Sequence, residues 1–173
     1  MLQISEILCT EEMIKTRVRQ LGEQISKDYE GKTLYVIGIL KGAAIFMADL
    51  VREIQIPVKI DYMSVSSYGN ATHSSGAVRT YRDLDMDING QHVLVVEDIV
   101  DTGLTMDFLK NSLYLRHPAS LKVCAFLDKP AKRKIHLEIE YTGYTYSGED
   151  FLVGYGLDAA EEGRNLPYIG TFK

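Results

Sequence analysis

Apolar residues recur along the chain with two different periods, and the switching between them predicts the layout. Ile14, Val18, Leu21 and Ile25 are spaced four, three and four apart. That is one face of an amphipathic helix, which Thr10 can cap and which stops near Gly31. Leu34 to Leu40 is a short apolar run ending at Lys41-Gly42, and a second helical stretch from Ala43 to Ile54 closes before Pro57. Val58 to Val65 reads as a strand. From Ser66 to Asp87 the chain is rich in Ser, Gly, Asn, Asp and Arg with no apolar period, and a loop of this length in a compact domain is usually functional or mobile. Asn89-Gly90 turns the chain into Val93 to Val96, after which Asp101-Thr102-Gly103 leads into a helix to about Arg116, before Pro118. Leu121 to Leu127 is another apolar run, and Ile135, Leu137, Ile139 and Tyr141 alternate as a half-exposed strand does. Strands alternating with helices, some of them buried runs, predict an α/β fold with a mainly parallel central sheet and helices on both faces.

Composition narrows the class. The 173 residues suit a single domain over 1–173, with the stretch 66–87 as its long functional or mobile loop. Nineteen Lys and Arg against 24 Asp and Glu give a net charge of −5, which argues against nonspecific nucleic-acid binding. No apolar run approaches the roughly 18 residues of a membrane span. Met1-Leu2-Gln3-Ile4, followed by Glu6, lacks the pattern of an export signal, so a cytoplasmic protein is expected. Cys9 and Cys124 lie far apart in no metal-ligand spacing and read as buried hydrophobes. Lys129-Pro130-Ala131-Lys132-Arg133-Lys134 carries four cations in six residues and reads mostly as a solvated loop. His73, His92, His117 and His136 carry no readable role.

The stretch that carries chemistry runs from Val93 to Thr105. An apolar strand ends in the acidic pair Glu97-Asp98, and Asp101-Thr102-Gly103-Leu104-Thr105 opens a helix, where open α/β sheets place ligands. Such a turn can aim backbone N–H groups, hydroxyls and the positive end of a helix dipole at one anion. Carboxylates beside an anion site need another task, such as accepting from a sugar diol or binding Mg2+. A phosphorylated sugar fits. A strand ending in acids that merely cap the next helix accounts for the same residues.

Residues 93–105 resemble the phosphoribosyl pyrophosphate signature of the type I phosphoribosyltransferases. Further segments make the chain similar to the bacterial hypoxanthine-guanine phosphoribosyltransferases: Leu40-Lys41-Gly42, Ser67-Tyr68, Lys129, Phe151 to Asp158, and Arg164. The resemblance implies the fold above with a small hood formed by the terminal segments, Mg2+ as cofactor, and a homodimer or homotetramer. It implies that Asp101 to Thr105 hold the 5′-phosphate and that Glu97 and Asp98 face the ribose hydroxyls and help place Mg2+. Leu40-Lys41-Gly42 would bind pyrophosphate, in the family typically through a cis peptide before the lysine. Asp158 would coordinate Mg2+ on the pyrophosphate side, and Arg164 would contact the pyrophosphate. Phe151 would stack on the purine, backbone near Leu152 would contact its ring, and Lys129 would donate to the 6-oxygen. Asp101 would be catalytic, exchanging a proton with purine N7. The loop bearing Ser67 and Tyr68 would close over the site. Some relatives carry a lysine where this chain has Leu104, so backbone amides must carry more of the phosphate contact here. The activity implied is transfer of a 5-phosphoribosyl group to N9 of hypoxanthine or guanine. A non-catalytic sensor of phosphoribosyl pyrophosphate with the same fold is the alternative; the acidic chain and the presence of Lys129, Asp158 and Arg164 speak against it.

Overall fold

The computed structural model describes residues 3–67 and 78–172. In chain order these form β1 (Ile4–Cys9), α1 (Glu11–Asp28), β2 (Leu34–Leu40), α2 (Ala44–Glu53), β3 (Val58–Ser67) and β4 (Val78–Arg82). There follow β5 (His92–Val100), α3 (Leu104–Tyr114), β6 (Ser120–Asp128), β7 (Tyr141–Thr145), β8 (Phe151–Val153) and β9 (Ile169–Phe172). Thr10 caps α1 as its sequence predicts, accepting from Met13 N at 3.3 Å, a contact worth about 1 kcal/mol.

The central sheet has six strands in the order β4-β3-β2-β5-β6-β7, parallel throughout except for the antiparallel β3–β4 pair. Because strand side chains alternate in direction, the two middle strands feed two cores. Val36, Leu94 and Val96 pack with Leu21, Ile25, Phe46 and Leu50 of α1 and α2. Ile37, Ile39, Val93 and Val95 pack with Met106, Leu109 and Leu113 of α3. Helices thus cover both faces, and each fully buried Leu or Ile contributes about 1.5–3 kcal/mol. The terminal segments form the hood, a three-stranded antiparallel sheet in the order β1-β9-β8.

At the β7 edge, Arg17 of α1 donates from Nε to Gly143 O at 2.9 Å and from Nη2 to Thr142 O at 2.7 Å. Among the described residues no helix is long and apolar enough to cross a membrane.

Three local expectations change. β3 runs on to Ser67 and pairs with β4, so part of the stretch 66–87 is an antiparallel arm; residues 68–77 lie outside the described residues. The chain after β4 is pinned to β3 by buried Asp61, whose Oδ2 accepts from Asp85 N at 2.8 Å and Met86 N at 3.0 Å. The alternating residues Ile135, Leu137 and Ile139 precede the strand instead of forming it, and β7 begins at Tyr141. The Glu140 carboxylate accepts from Val123 N at 2.7 Å, and the ladder between β6 and β7 starts only at Cys124 and Tyr141. β5 extends past Val96 to Val100, which puts the acidic pair inside the last part of the strand.

Candidate active site

From β2 the chain crosses to β3 on one side of the sheet, and from β5 it crosses to β6 on the other. The crevice beyond the C-terminal ends of β2 and β5 is therefore the topological switch point, where open α/β sheets bind ligands. Two loops meet there. One is Leu40-Lys41-Gly42, whose Leu40–Lys41 peptide is cis. The other is the turn from Asp101 to Thr105. Contact is so close that a Cβ on Gly42 would overlap the Asp98 carboxylate. Only glycine fits. The Gly42 carbonyl is in turn tight against Gly156 of the hood, which brings the third segment to the same place.

A cavity of about 170 Å³ lies over the end of β5, lined by Glu97 to Gly103 with Thr105 and Met106. Gly103 has φ +86°, a left-handed conformation that glycine adopts without strain, and serves as N-cap of α3. Its free α-face lets Arg133 Cδ and Ile135 Cγ1 close over the turn. Asp101 Oδ1 is buried with no hydrogen-bond partner. Leu104 does not line the cavity and is 36% exposed. Burial pushes both acidic carboxyls upward, Glu97 furthest because the adjacent Asp98 charge adds to its desolvation. The charged form of such a pair calls for compensation, by hydroxyl donors or by a coordinated cation.

The two cations that the resemblance assigns to pyrophosphate share a carboxylate. Lys41 Nζ lies 3.0 Å from Glu161 Oε2, and Arg164 Nη2 lies 3.5 Å from Glu161 Oε1 and 2.7 Å from Asp158 Oδ1. The Lys41 ammonium holds the Glu161 carboxyl below its usual range. Arg164 also donates to Gly156 O at 2.8 Å, while its Nε is buried without a partner. Asp158 is thus engaged with Arg164, and no cluster of three or more His, Cys, Asp or Glu among the described residues could hold a metal ion. Glu97, Asp98 and Asp158 are not gathered into one all-protein cage.

For the base, Lys129 is buried, and its ammonium donates to Glu149 O at 3.2 Å and Asp150 O at 2.7 Å. Two of its three protons are so used, leaving one for a ligand. Phe151 is 58% exposed, touching Phe172 edge to face at 6.4 Å, so its ring is open to a planar partner. Leu152 is buried in the core beside it, which leaves only its backbone for contact. Ser67 ends β3; its side chain and all of Tyr68 lie outside the described residues.

Two contributors have no sharp sequence signal. Glu161 follows the matched segment with nothing to mark it. Arg133 sits in the basic run read as solvated, yet its side chain is only 16% exposed and paired with Asp128. The short 3-10 turn Pro130–Lys132 bends the chain so that Lys129 and Arg133 both return to the end of β5.

The phosphoribosyl transferase domain family matches residues 5–160. The hypoxanthine-guanine phosphoribosyltransferase of Mycobacterium avium is 48% identical over 174 residues, 97% of this chain and 85% of that protein. The hypoxanthine phosphoribosyltransferase of Haemophilus influenzae is 46% identical over 168 residues, 95% and 93% of the two chains. A crystal structure of a hypoxanthine-guanine phosphoribosyltransferase from Bacillus anthracis superposes with a TM-score of 0.93 at 45% identity, covering 99% of this chain and 100% of that one. Loops meeting at the switch point of a sheet so closely shared leave one assignment: this chain belongs to the phosphoribosyl transferase domain family, among its bacterial hypoxanthine-guanine members.

Proposed function

We propose that the protein transfers the 5-phosphoribosyl group of phosphoribosyl pyrophosphate to N9 of hypoxanthine or guanine, releasing pyrophosphate. The observation that carries this reading is the orphaned, buried Asp101 oxygen at the rim of a turn built for an anion. A carboxylate there opposes phosphate binding and is explained by a proton it must take. In the reaction the N9–C1′ bond forms as the C1′–oxygen bond to pyrophosphate breaks. The electron pair leaves with pyrophosphate, and the purine proton passes to Asp101 from N7. The turn Asp101 to Thr105 holds the 5′-phosphate, while Glu97 and Asp98 accept from the ribose hydroxyls. Lys41 and Arg164 stabilise the departing polyanion. Phe151 stacks on the purine and Lys129 donates to its 6-oxygen.

The donor set suits Mg2+. Hard carboxylates in ones and twos, completed by substrate oxygens and water, are its usual surroundings, and Glu97, Asp98 and Asp158 offer such positions. Bound there, Mg2+ would neutralise charge on pyrophosphate. Cytoplasmic residence and self-association as a homodimer or homotetramer belong to the same reading. The exposed apolar side chains of Ile7, Ile45, Ile60 and Leu115 offer surface for it, and sedimentation velocity tests it.

Product formation from phosphoribosyl pyrophosphate and Mg2+ tests the function, with hypoxanthine, guanine, xanthine and adenine offered separately. Turnover of oxopurines with adenine inert is expected. No turnover with any base, despite tight phosphoribosyl pyrophosphate binding, would make the protein a sensor.

Glu161→Gln is expected to tighten binding of magnesium pyrophosphate about two- to fivefold, the scale of exposed ion pairs. The substitution frees Lys41 and Arg164 from a competing carboxylate. Calorimetric titration decides it, and unchanged or weaker binding would show that Glu161 does not compete.

A further inference from the structure

Three successive carbonyls at the end of β5 are all held by the segment Lys129–Lys134. Val100 O accepts from Lys129 N at 2.9 Å and from Arg133 Nη2 at 3.3 Å. Asp101 O accepts from Arg133 Nε at 2.9 Å, and Thr102 O from Lys134 N at 2.9 Å. In a trans peptide the N–H points opposite to the C=O, and these bonds are trans, since the cis bond among the described residues is Leu40–Lys41. The N–H groups of Asp101, Thr102 and Gly103 therefore face away from this wall. None of residues 129–134 lines the cavity.

We infer that Arg133 is a positioning residue that sets the polarity of the 5′-phosphate cradle by holding the Val100 and Asp101 carbonyls away from the ligand. Its guanidinium also offsets the partial negative charge of both oxygens, which would otherwise repel a phosphate through the same peptides. Asp128 keeps it there: the two side chains are ion-paired and 16% and 21% exposed. The stem packs over Gly103, closing the back of the turn. With leucine at position 104 the cradle has no ammonium of its own, so amide orientation carries the contact. The inference rests on the reading of this turn as the 5′-phosphate site.

The test compares binding of IMP, which has the 5′-phosphate, with binding of magnesium pyrophosphate, which does not occupy the turn. Arg133→Met is expected to weaken IMP at least about tenfold, the loss of charge-assisted hydrogen bonds, and to leave pyrophosphate within about twofold. Arg133→Lys should fall between, and KM for phosphoribosyl pyrophosphate should rise more than kcat falls. Thr105→Ala probes the cradle itself. Weakened IMP binding in Thr105→Ala but not in Arg133→Met would overturn the positioning role while the cradle stands. Unchanged IMP binding in both would remove the cradle reading and the inference with it. Proportional loss of both ligands in Arg133→Met would reduce Arg133 to general structure and overturn the proposal. Where Arg133→Met does not fold, Asp128→Asn is judged by the same ratio of affinities.

Discussion

Asp101→Asn is expected to fold, to bind phosphoribosyl pyrophosphate at least as tightly as the parent, and to turn over about 10²-fold more slowly or worse. The backbone of residue 101 is held through its carbonyl by Arg133, independently of the side chain, so the cradle keeps its shape. The amide is nearly isosteric with the carboxylate and removes a negative charge from beside the phosphate, which favours ground-state binding. What it cannot do is take a proton. Single-turnover rates with saturating hypoxanthine isolate the chemical step, and rates equal to the parent's would remove Asp101 from proton transfer.

Lys129→Met should lower kcat/KM for hypoxanthine about 10²-fold, since a hydrogen bond from a charged donor is worth about 1.5–3 kcal/mol. The thioether keeps the length of the stem but cannot donate to the Glu149 and Asp150 carbonyls as the ammonium does. Misplacement of the neighbouring Phe151 adds to the loss. Unsubstituted purine, which lacks the 6-oxygen, serves as the comparison: the ratio of hypoxanthine to purine efficiency should collapse, while phosphoribosyl pyrophosphate binding stays. A parental ratio would mean that Lys129 only ties down the segment before β8.

The sequence made the middle of the molecule legible because local and global signals coincide there. Leu34 to Leu40 and Val93 to Val96 are buried on both faces, so their continuous apolar runs declare parallel strands, and the polar turns after them declare the ligand crevice. The margins are written in long-range pairings. β8 and β9 have three and four residues and pair with each other, and β9's other partner, β1, lies at the far end of the chain, so nothing local marks them. β4 is polar because it is an edge strand, and its period is invisible without β3 beside it. The alternation of Ile135, Leu137 and Ile139 misleads for a different reason: Leu137 and Ile139 pack against the α3-side core from irregular chain, while a carboxylate takes up the hydrogen bond a strand would have made. In the site, Asp101 and the acidic pair stand in a recognisable pattern, whereas Arg133 works through backbone carbonyls. Peptide groups are the same at every position, so a residue that serves them leaves no pattern at the position it serves.

The Arg17 contact with the outer carbonyls of β7 bears on how copies of this chain can meet. An open strand edge invites another strand to add to it, the first step toward ribbons that grow without limit. Here a guanidinium already occupies Thr142 O and Gly143 O, and Tyr144 donates from its hydroxyl to Met13 O at 3.1 Å, so helix α1 is buttoned over that edge. Assembly by sheet extension is closed at β7. Contact between copies there must use side-chain surfaces instead of strand addition.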